Sequence, residues 1–142
     1  MRPLKQLIEA KRPMVSVGPD DTVFTALTLL AQFDIGALLV LEGGRLVGIF
    51  SERDYTRKIV LKGKASKDTP VRDIMSEKIS CVTLSQTVEE CMALMTDKRV
   101  RHLPVIGDDH EVLGILSIGD LVKETISEQQ FTIEQLVSYI QN

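Results

Sequence analysis

The feature that most constrains this chain is an internal repeat, because residues 15 to 55 and 80 to 121 present one unit twice in the same order. In the first copy Thr22-Val23 opens an apolar-periodic stretch, Leu38-Leu39-Val40 follows, and Gly48-Ile49-Phe50-Ser51-Glu52-Arg53-Asp54 closes it. In the second copy Thr87-Val88 and Leu103-Pro104-Val105 lie 65 positions later, and Gly114-Ile115-Leu116-Ser117-Ile118-Gly119-Asp120 lies 66 positions after its counterpart. The one-residue slip falls in a turn between two strands, where an insertion costs least.

Each copy reads as strand, helix, strand, strand, helix. Val15 to Val17 predicts a short strand, Gly18-Pro19-Asp20-Asp21 a turn, and Val23, Ala26, Leu27 and Leu30 one face of a helix. Ala37 to Leu41 and Leu46 to Phe50 predict strands around the hairpin signal Glu42-Gly43-Gly44-Arg45, and Ser51 opens a helix that Gly63 ends. The second copy predicts a strand at Cys81 to Thr83, a helix marked by Val88, Cys91, Met92 and Met95, strands at Leu103 to Ile106 and Val112 to Leu116, and a last helix from Ser117. The expected division is a lead-in helix in 1–14, a first repeat in 15–61, a linker and entry in 62–78, a second repeat in 79–125 and a C-terminal helix in 126–142. That final helix carries an apolar stripe of Ile133, Leu136, Val137 and Ile140 behind a capping box of Thr132 and Gln135. The stripe has two destinations, its own domain or a dimer contact.

A half of about 45 residues is marginal alone, since so short a chain buries too little surface. The expectation is an α+β fold in which two halves share a core about an approximate two-fold axis, with a cleft where equivalent residues converge. A net charge of -3 leaves no basic excess to neutralise the phosphates of a nucleic acid, so none is expected as a partner. No apolar run approaches the ~20 residues of a membrane helix, and Met1-Arg2-Pro3-Leu4 lacks a signal peptide's apolar segment, so the expected location is cytoplasmic and no membrane partner is expected. Cys81 and Cys91 lack the spacing of a metal or disulfide framework, and Cys91 falls among apolar residues at helical spacing, as a buried small hydrophobe would.

The sharpest local feature is Ser-x-x-Asp at both strand-to-helix junctions, Ser51 with Asp54 and Ser117 with Asp120. One reading is structural: a Ser at the N-cap with an acid at the third helical position is close to a capping box and needs no ligand. The other is functional. A helix N-terminus offers unpaired N–H groups to an anion, the hydroxyl adds a donor, and an Asp one turn in can accept from a vicinal diol such as that of ribose. Two observations favour the second: a box prefers Glu or Gln at that position, and a Gly three residues before each Ser thins the strand. The cluster Lys98-Arg99-Val100-Arg101-His102 fits an anionic ligand too. Cations at a helix C-terminus explain Lys98 and Arg99, but less so Arg101 and His102, which lead into a buried strand where charge is costly. Their counterparts are the small residues Gly36 and Ala37, room for a flat base.

The repeat, the two segments from Gly48 to Asp54 and Gly114 to Asp120, and Arg101-His102-Leu103-Pro104-Val105 resemble a CBS-domain pair, named after cystathionine beta-synthase, and Val71-Arg72-Asp73-Ile74-Met75 is similar to the usual entry into such a repeat. The resemblance covers about residues 10 to 125. It implies a regulatory or sensor module that binds an adenosine-containing ligand (AMP, ADP, ATP, NAD or S-adenosylmethionine) in the cleft between repeats, often as a disc-like dimer. It implies no catalysis and no catalytic cofactor. Carried over by position, Asp120 holds the ribose; Ser117, Arg101 and His102 meet phosphate; Ile115, Val15, Gly36 and Ala37 line the adenine pocket; and Arg53 reaches a phosphate. A second site would use Asp54, Ser51, Ile49 and Ser80, and the small Gly36 and Ala37 at its phosphate positions suggest that it is empty. The expected partners are the nucleotide, a second copy in a homodimer, and an effector protein. The competing readings are a dimeric interaction scaffold with a vestigial ligand site and, less well supported, an enzyme, since His102 and His110 have no accompanying acid or thiol motif.

Overall fold

Hydrogen-bonded caps and alternating burial divide the chain into the elements of both repeats in a computed structural model that describes residues 4–10 and 14–141. The lead-in expected in 1–14 appears as α1, Leu4–Ala10, and its remaining residues except Met14 lie outside the described ones. The first repeat comprises β1 (Ser16–Val17), α2 (Val23–Phe33), β2 (Ala37–Glu42), β3 (Arg45–Ser51) and α3 (Glu52–Asp54). The second comprises α4 (Val88–Lys98), β4 (His102–Ile106), β5 (Val112–Ser117) and α5 (Ile118–Gln141).

Both long helices of the repeats start and stop alike. Thr22 caps α2 by accepting from the Thr25 N–H, and Thr87 caps α4 in a full box with Glu90. Asp34 and Arg99, 65 positions apart, end the two helices in the left-handed conformation, with φ of 52° and 55°. The hairpin between β2 and β3 turns through Gly43 and Gly44, whose φ values of 59° and 80° are those a two-residue hairpin requires. β1 runs parallel to β2, and β2 antiparallel to β3, with Ala37 opposite Ser51.

Four expectations are corrected. The strand expected at Cys81 to Thr83 is a single parallel bridge between Val82 and Val105, because Pro104, standing where the first repeat has Leu39, has no N–H with which to lengthen the ladder. The helix from Ser51 to Gly63 is one α turn followed by a π-helical stretch, Tyr55–Val60, closed by bonds such as Lys64 N–H to the Ile59 carbonyl at 3.0 Å. The separate C-terminal helix does not exist: α5 is continuous over 24 residues, and Thr132, expected as its cap, donates its hydroxyl to the Glu128 carbonyl in mid-helix. No Gly or Pro stands between Asp120 and Gln141 to interrupt it.

The fourth correction concerns the core. In place of one shared core, the buried side chains form two clusters in two compact units. One unit spans 13–80 with 108–112; the other holds 1–12, 81–107 and 113–142. Each repeat is completed by the segment preceding the other one. Val71, Ile74 and Met75 join Val23, Leu38, Val40 and Phe50, while Leu4 and Leu7 of α1 join Val88, Met95, Leu103 and Leu116. Borrowing a segment gives each half the buried surface it lacks alone. The polar stretch 62–70 is also folded in: the Ser66 and Thr69 carbonyls accept from the Phe24 and Val23 N–H groups at the start of α2.

Candidate functional site

The two Ser-x-x-Asp segments do form capping boxes. At the first junction the Asp54 N–H donates to Ser51 Oγ at 3.2 Å, and the Ser51 N–H donates to Asp54 Oδ2 at 3.0 Å. At the second the Asp120 N–H donates to Ser117 Oγ at 3.1 Å, and the Ser117 N–H donates to Asp120 Oδ2 at 2.7 Å. Each junction is tied to the strand beside it: Glu52 N–H donates to the Gly36 carbonyl at 3.1 Å, and Ile118 N–H to the Arg101 carbonyl at 2.9 Å. The structural reading of the motif therefore holds in both copies. It fixes the Asp rotamer and leaves open what the remaining lone pairs do.

The surroundings differ. Asp54 is 8% exposed and collects three further contacts: the Ser51 hydroxyl at 3.0 Å, the Ser76 hydroxyl at 3.2 Å and an ion pair with Lys58 at 3.3 Å. Lys58 also donates to the Ile74 carbonyl at 2.9 Å. Asp120 is half-buried and has an interaction beyond its cap, and Glu124 occupies the position matching Lys58. The Ser117 hydroxyl, which accepts from Asp120, donates to no described group.

Gly48 and Gly114 have a packing reason instead of the strand-thinning role expected of them. A Cβ on Gly48 would lie 2.5 Å from Met75 Sδ and 3.2 Å from the Ser76 carbonyl; one on Gly114 would lie 3.2 Å from Ile8 Cδ1. They make way for the borrowed segments.

The remaining expected residues are distributed between the two units. Arg101, His102, Ile115, Ser117 and Asp120 belong to one; Val15, Gly36, Ala37, Arg53, Ile49, Ser51, Asp54 and Ser80 belong to the other. Arg101 is exposed and makes no ion pair with a described residue, so the argument that its charge is costly at a buried strand does not apply. His102 starts β4, half-buried and partnered. Ile115 is half-buried in β5, and Arg53 is exposed on α3. Val15 and Ser80 are half-buried, Ala37 is buried at the start of β2, and Ile49 exchanges two backbone bonds with Ser76. Sequence reasoning missed Lys58 and Ser76. Lys58 carried a signal, four residues beyond Asp54; Ser76, 22 residues away, carried none.

A groove between α4 and α5, edged by Glu89, Met92, Glu128 and Gln129, contains none of these residues, and its two carboxylates suit no phosphate. Burial raises both the Cys81 and Cys91 thiol pKa values, and Glu90 adds to the effect at Cys91, so both stay protonated and weakly nucleophilic at neutral pH. Among the described residues no cluster of His, Cys, Asp and Glu could hold a metal ion, and no helix is long and apolar enough to cross a membrane.

The family model of the CBS domain matches residues 4–61 and 71–127. The mitochondrial CBS domain-containing protein CBSX3 of Arabidopsis thaliana is 45% identical over 127 residues, 86% of this chain, which spans about three fifths (61%) of that protein's length. Among solved structures, a protein with CBS domains from Burkholderia ambifaria superposes with a TM-score of 0.85 at 48% identity, covering 93% of this chain and 99% of that one. A CBS domain protein from Pyrobaculum aerophilum, solved with AMP, gives 0.75 at 28% identity over 84% of this chain and 89% of that one.

Proposed function

The chain belongs to the CBS-domain family as a tandem pair, a regulatory module, and from that premise we propose that it binds an adenosine-containing ligand at its second Ser-x-x-Asp junction. The observation carrying this reading is the arrangement at the start of α5. A half-buried Asp120 and a Ser117 hydroxyl with no described acceptor stand beside the exposed Arg101, whose carbonyl is tied to Ile118. An acceptor for a ribose diol, a hydroxyl donor and a cation that makes no ion pair with a described residue suit the two ends of a nucleoside phosphate. The AMP held by the P. aerophilum relative supports the adenosine assignment.

In this reading AMP, ADP, ATP and NAD are the candidates, and His102 with Arg101 meets the phosphates. Ile115, Val15, Gly36 and Ala37 contact adenine, and Arg53 a phosphate, by sequence correspondence. The junction of Ile49, Ser51, Asp54 and Ser80 takes no ligand, its carboxylate being committed internally. The chain acts without catalysis, as a cytoplasmic homodimer that passes ligand occupancy to an effector protein through a shift in conformational populations. One observation favours the scaffold reading: a row of large apolar residues along α5, among them Ile126, Ile133, Leu136 and Ile140, is exposed.

A thermal-shift titration of nucleotide-free protein against AMP, ADP, ATP and NAD, with GMP as control, separates the two. The expected outcome is a saturable rise selective for adenosine compounds, because a ligand that binds only the folded state stabilises it by mass action. No shift with any of them rejects the sensor reading in favour of the scaffold.

A further inference from the structure

Charge is unevenly spread along this chain. The eleven residues from Arg57 to Lys67 hold five of the 17 lysines and arginines and none of the 20 acids, so the remainder carries twelve cations against 20 acids, a net charge of -8. The segment runs out of the π-helical stretch into bonded turns. Ile59 is buried beneath it, and the Leu61, Gly63 and Lys64 N–H groups donate back to the carbonyls of Thr56, Val60 and Ile59 at 3.2, 3.3 and 3.0 Å. The Ser66 carbonyl accepts from the Phe24 N–H at 3.0 Å, which fastens the segment to the start of α2. Lys58 is committed to Asp54 and the Ile74 carbonyl. Arg57, Lys62 and Lys64 are exposed and make no ion pair with a described residue, and Lys67 lies 5.1 Å over the Phe24 ring. Solvation accounts for exposed cations. It leaves unexplained the three large apolar side chains that stand out among them, Val60, Leu61 and Phe24, at 54%, 74% and 48% exposed.

We propose that this segment docks the chain on a membrane surface rich in anionic lipid. The proposal goes beyond the nucleotide reading and does not depend on it, since the one residue of this helix assigned to a phosphate, Arg53, lies outside the segment. The expectation of no membrane partner followed from the want of a spanning segment, which attachment to a surface does not need. Three features select lipid over a macromolecule. Four of the five cations are lysines, compact charges that attract headgroups without a fixed geometry, whereas protein interfaces and nucleic acids favour the arginine fork. Val60 and Leu61 suit the boundary between headgroups and acyl chains and offer no ring on which a base could stack. Lysine stems can lie along that apolar surface while their ammonium groups stay among the phosphates. A second copy of the chain is disfavoured here, because it would set cations against cations.

Co-sedimentation of the full chain with phosphatidylcholine vesicles, with and without about one third phosphatidylglycerol, tests the surface. The wild type is expected to pellet with the anionic vesicles, to stay in solution with pure phosphatidylcholine, and to release in 1 M salt, where the screening length falls to about 3 Å. Each cation near an anionic surface strengthens binding roughly fivefold, so the triple variant Lys62→Glu, Lys64→Glu, Lys67→Glu should weaken it more than about a hundredfold. Leu61→Ser should weaken it about tenfold, through lost apolar burial. These side chains are exposed, so circular dichroism should be unchanged. If the triple variant does not fold, Lys62→Gln with Lys64→Gln serves in its place, with a loss of roughly twenty-five-fold. Wild type that ignores the anionic vesicles, or binding that survives the lysine variants, overturns the proposal. Release by free glycerol phosphate at the same headgroup concentration would make the segment a small-anion site, and binding to single-stranded RNA in preference to vesicles would make it a nucleic-acid surface; either result also overturns it. The nucleotide reading fails separately, since a thermal shift with AMP does not require the lysines.

Discussion

The first and second Ser-x-x-Asp junctions share a pair of cap bonds and a tie to the neighbouring strand, yet their carboxylates stand in different company. Asp54 is buried among two hydroxyls and an ammonium group of its own chain. Asp120 is half-buried beside a Ser117 hydroxyl that donates to no described group, and a glutamate replaces the lysine one turn on. One motif thus serves two ends. In the first repeat it is spent on holding a borrowed segment, since Ser76 and Ile74 both belong to the stretch that precedes the second repeat. In the second it presents groups at an accessible helix start. Duplication supplies the geometry twice, and the neighbours decide what each copy does.

The strongest way to break this comparison is to remove each carboxylate in turn. Asp120→Ala is expected to weaken the adenosine ligand by about ten- to a hundredfold, through loss of hydrogen bonds to a charged group. Asp54→Ala should change affinity by less than about threefold, a difference well under 1 kcal/mol. Urea denaturation should reverse the order. Asp54→Ala leaves the Ser51 N–H and Lys58 without their shared acceptor and should cost about 1 to 3 kcal/mol of stability; Asp120→Ala should cost about 1 kcal/mol, the usual value of a lost cap. Calorimetric titration and urea melts on the same two variants decide it. Equal effects on affinity would put a ligand at both junctions, and unchanged affinity in the Asp120 variant would remove the ribose assignment.

What the sequence made legible follows the same division. Local chemistry could be read directly: Thr22-Val23 and Thr87-Val88 as the openings of periodic stretches that prove to be helix starts, Gly43-Gly44 as a hairpin turn, and both junctions from Ser51 and Ser117. Each of these depends on residues within four positions of one another. The borrowed segments could not be read, because nothing in Leu4 to Ala10 or Val71 to Met75 says which repeat their apolar faces will cover. The reach of Ser76 to Asp54 was invisible for that reason. The passage from α to π geometry at Tyr55 was hidden too, since no Gly or Pro marks it. The false break at Thr132 is the converse error: a residue that caps well at a helix start also bonds back to the carbonyl four residues earlier inside a helix, as it does to Glu128.

A smaller effect sharpens the contrast between the borrowed segments. Gly48 faces Met75 and the Ser76 carbonyl, and the carbonyl is backbone that cannot swing aside. Gly48→Ala should cost about 1 to 2 kcal/mol as overpacking. Gly114 faces only the branched end of Ile8, on a helix of seven residues, and Gly114→Ala should cost less than about 1 kcal/mol. Urea midpoints of the two variants read the difference. Equal costs would mean that α1 is held against its strand as firmly as the Met75 segment is held against Gly48.

The smallest expected effect isolates the ion pair within the first junction. The Lys58 side chain is 38% exposed, so its attraction to Asp54 is partly screened by water. Lys58→Met keeps the length and apolar body of the stem while removing the charge, and should cost about 0.5 kcal/mol, shrinking further in 1 M salt, where the screening length falls to about 3 Å. That outcome would place the stability of the junction in the bonds from Ser51 and Ser76 to a buried carboxylate. A loss above about 2 kcal/mol, insensitive to salt, would assign it to the ammonium group that joins Asp54 to the Ile74 carbonyl. The contrast between the repeats would then reduce to one substitution, lysine in the first copy against Glu124 in the second.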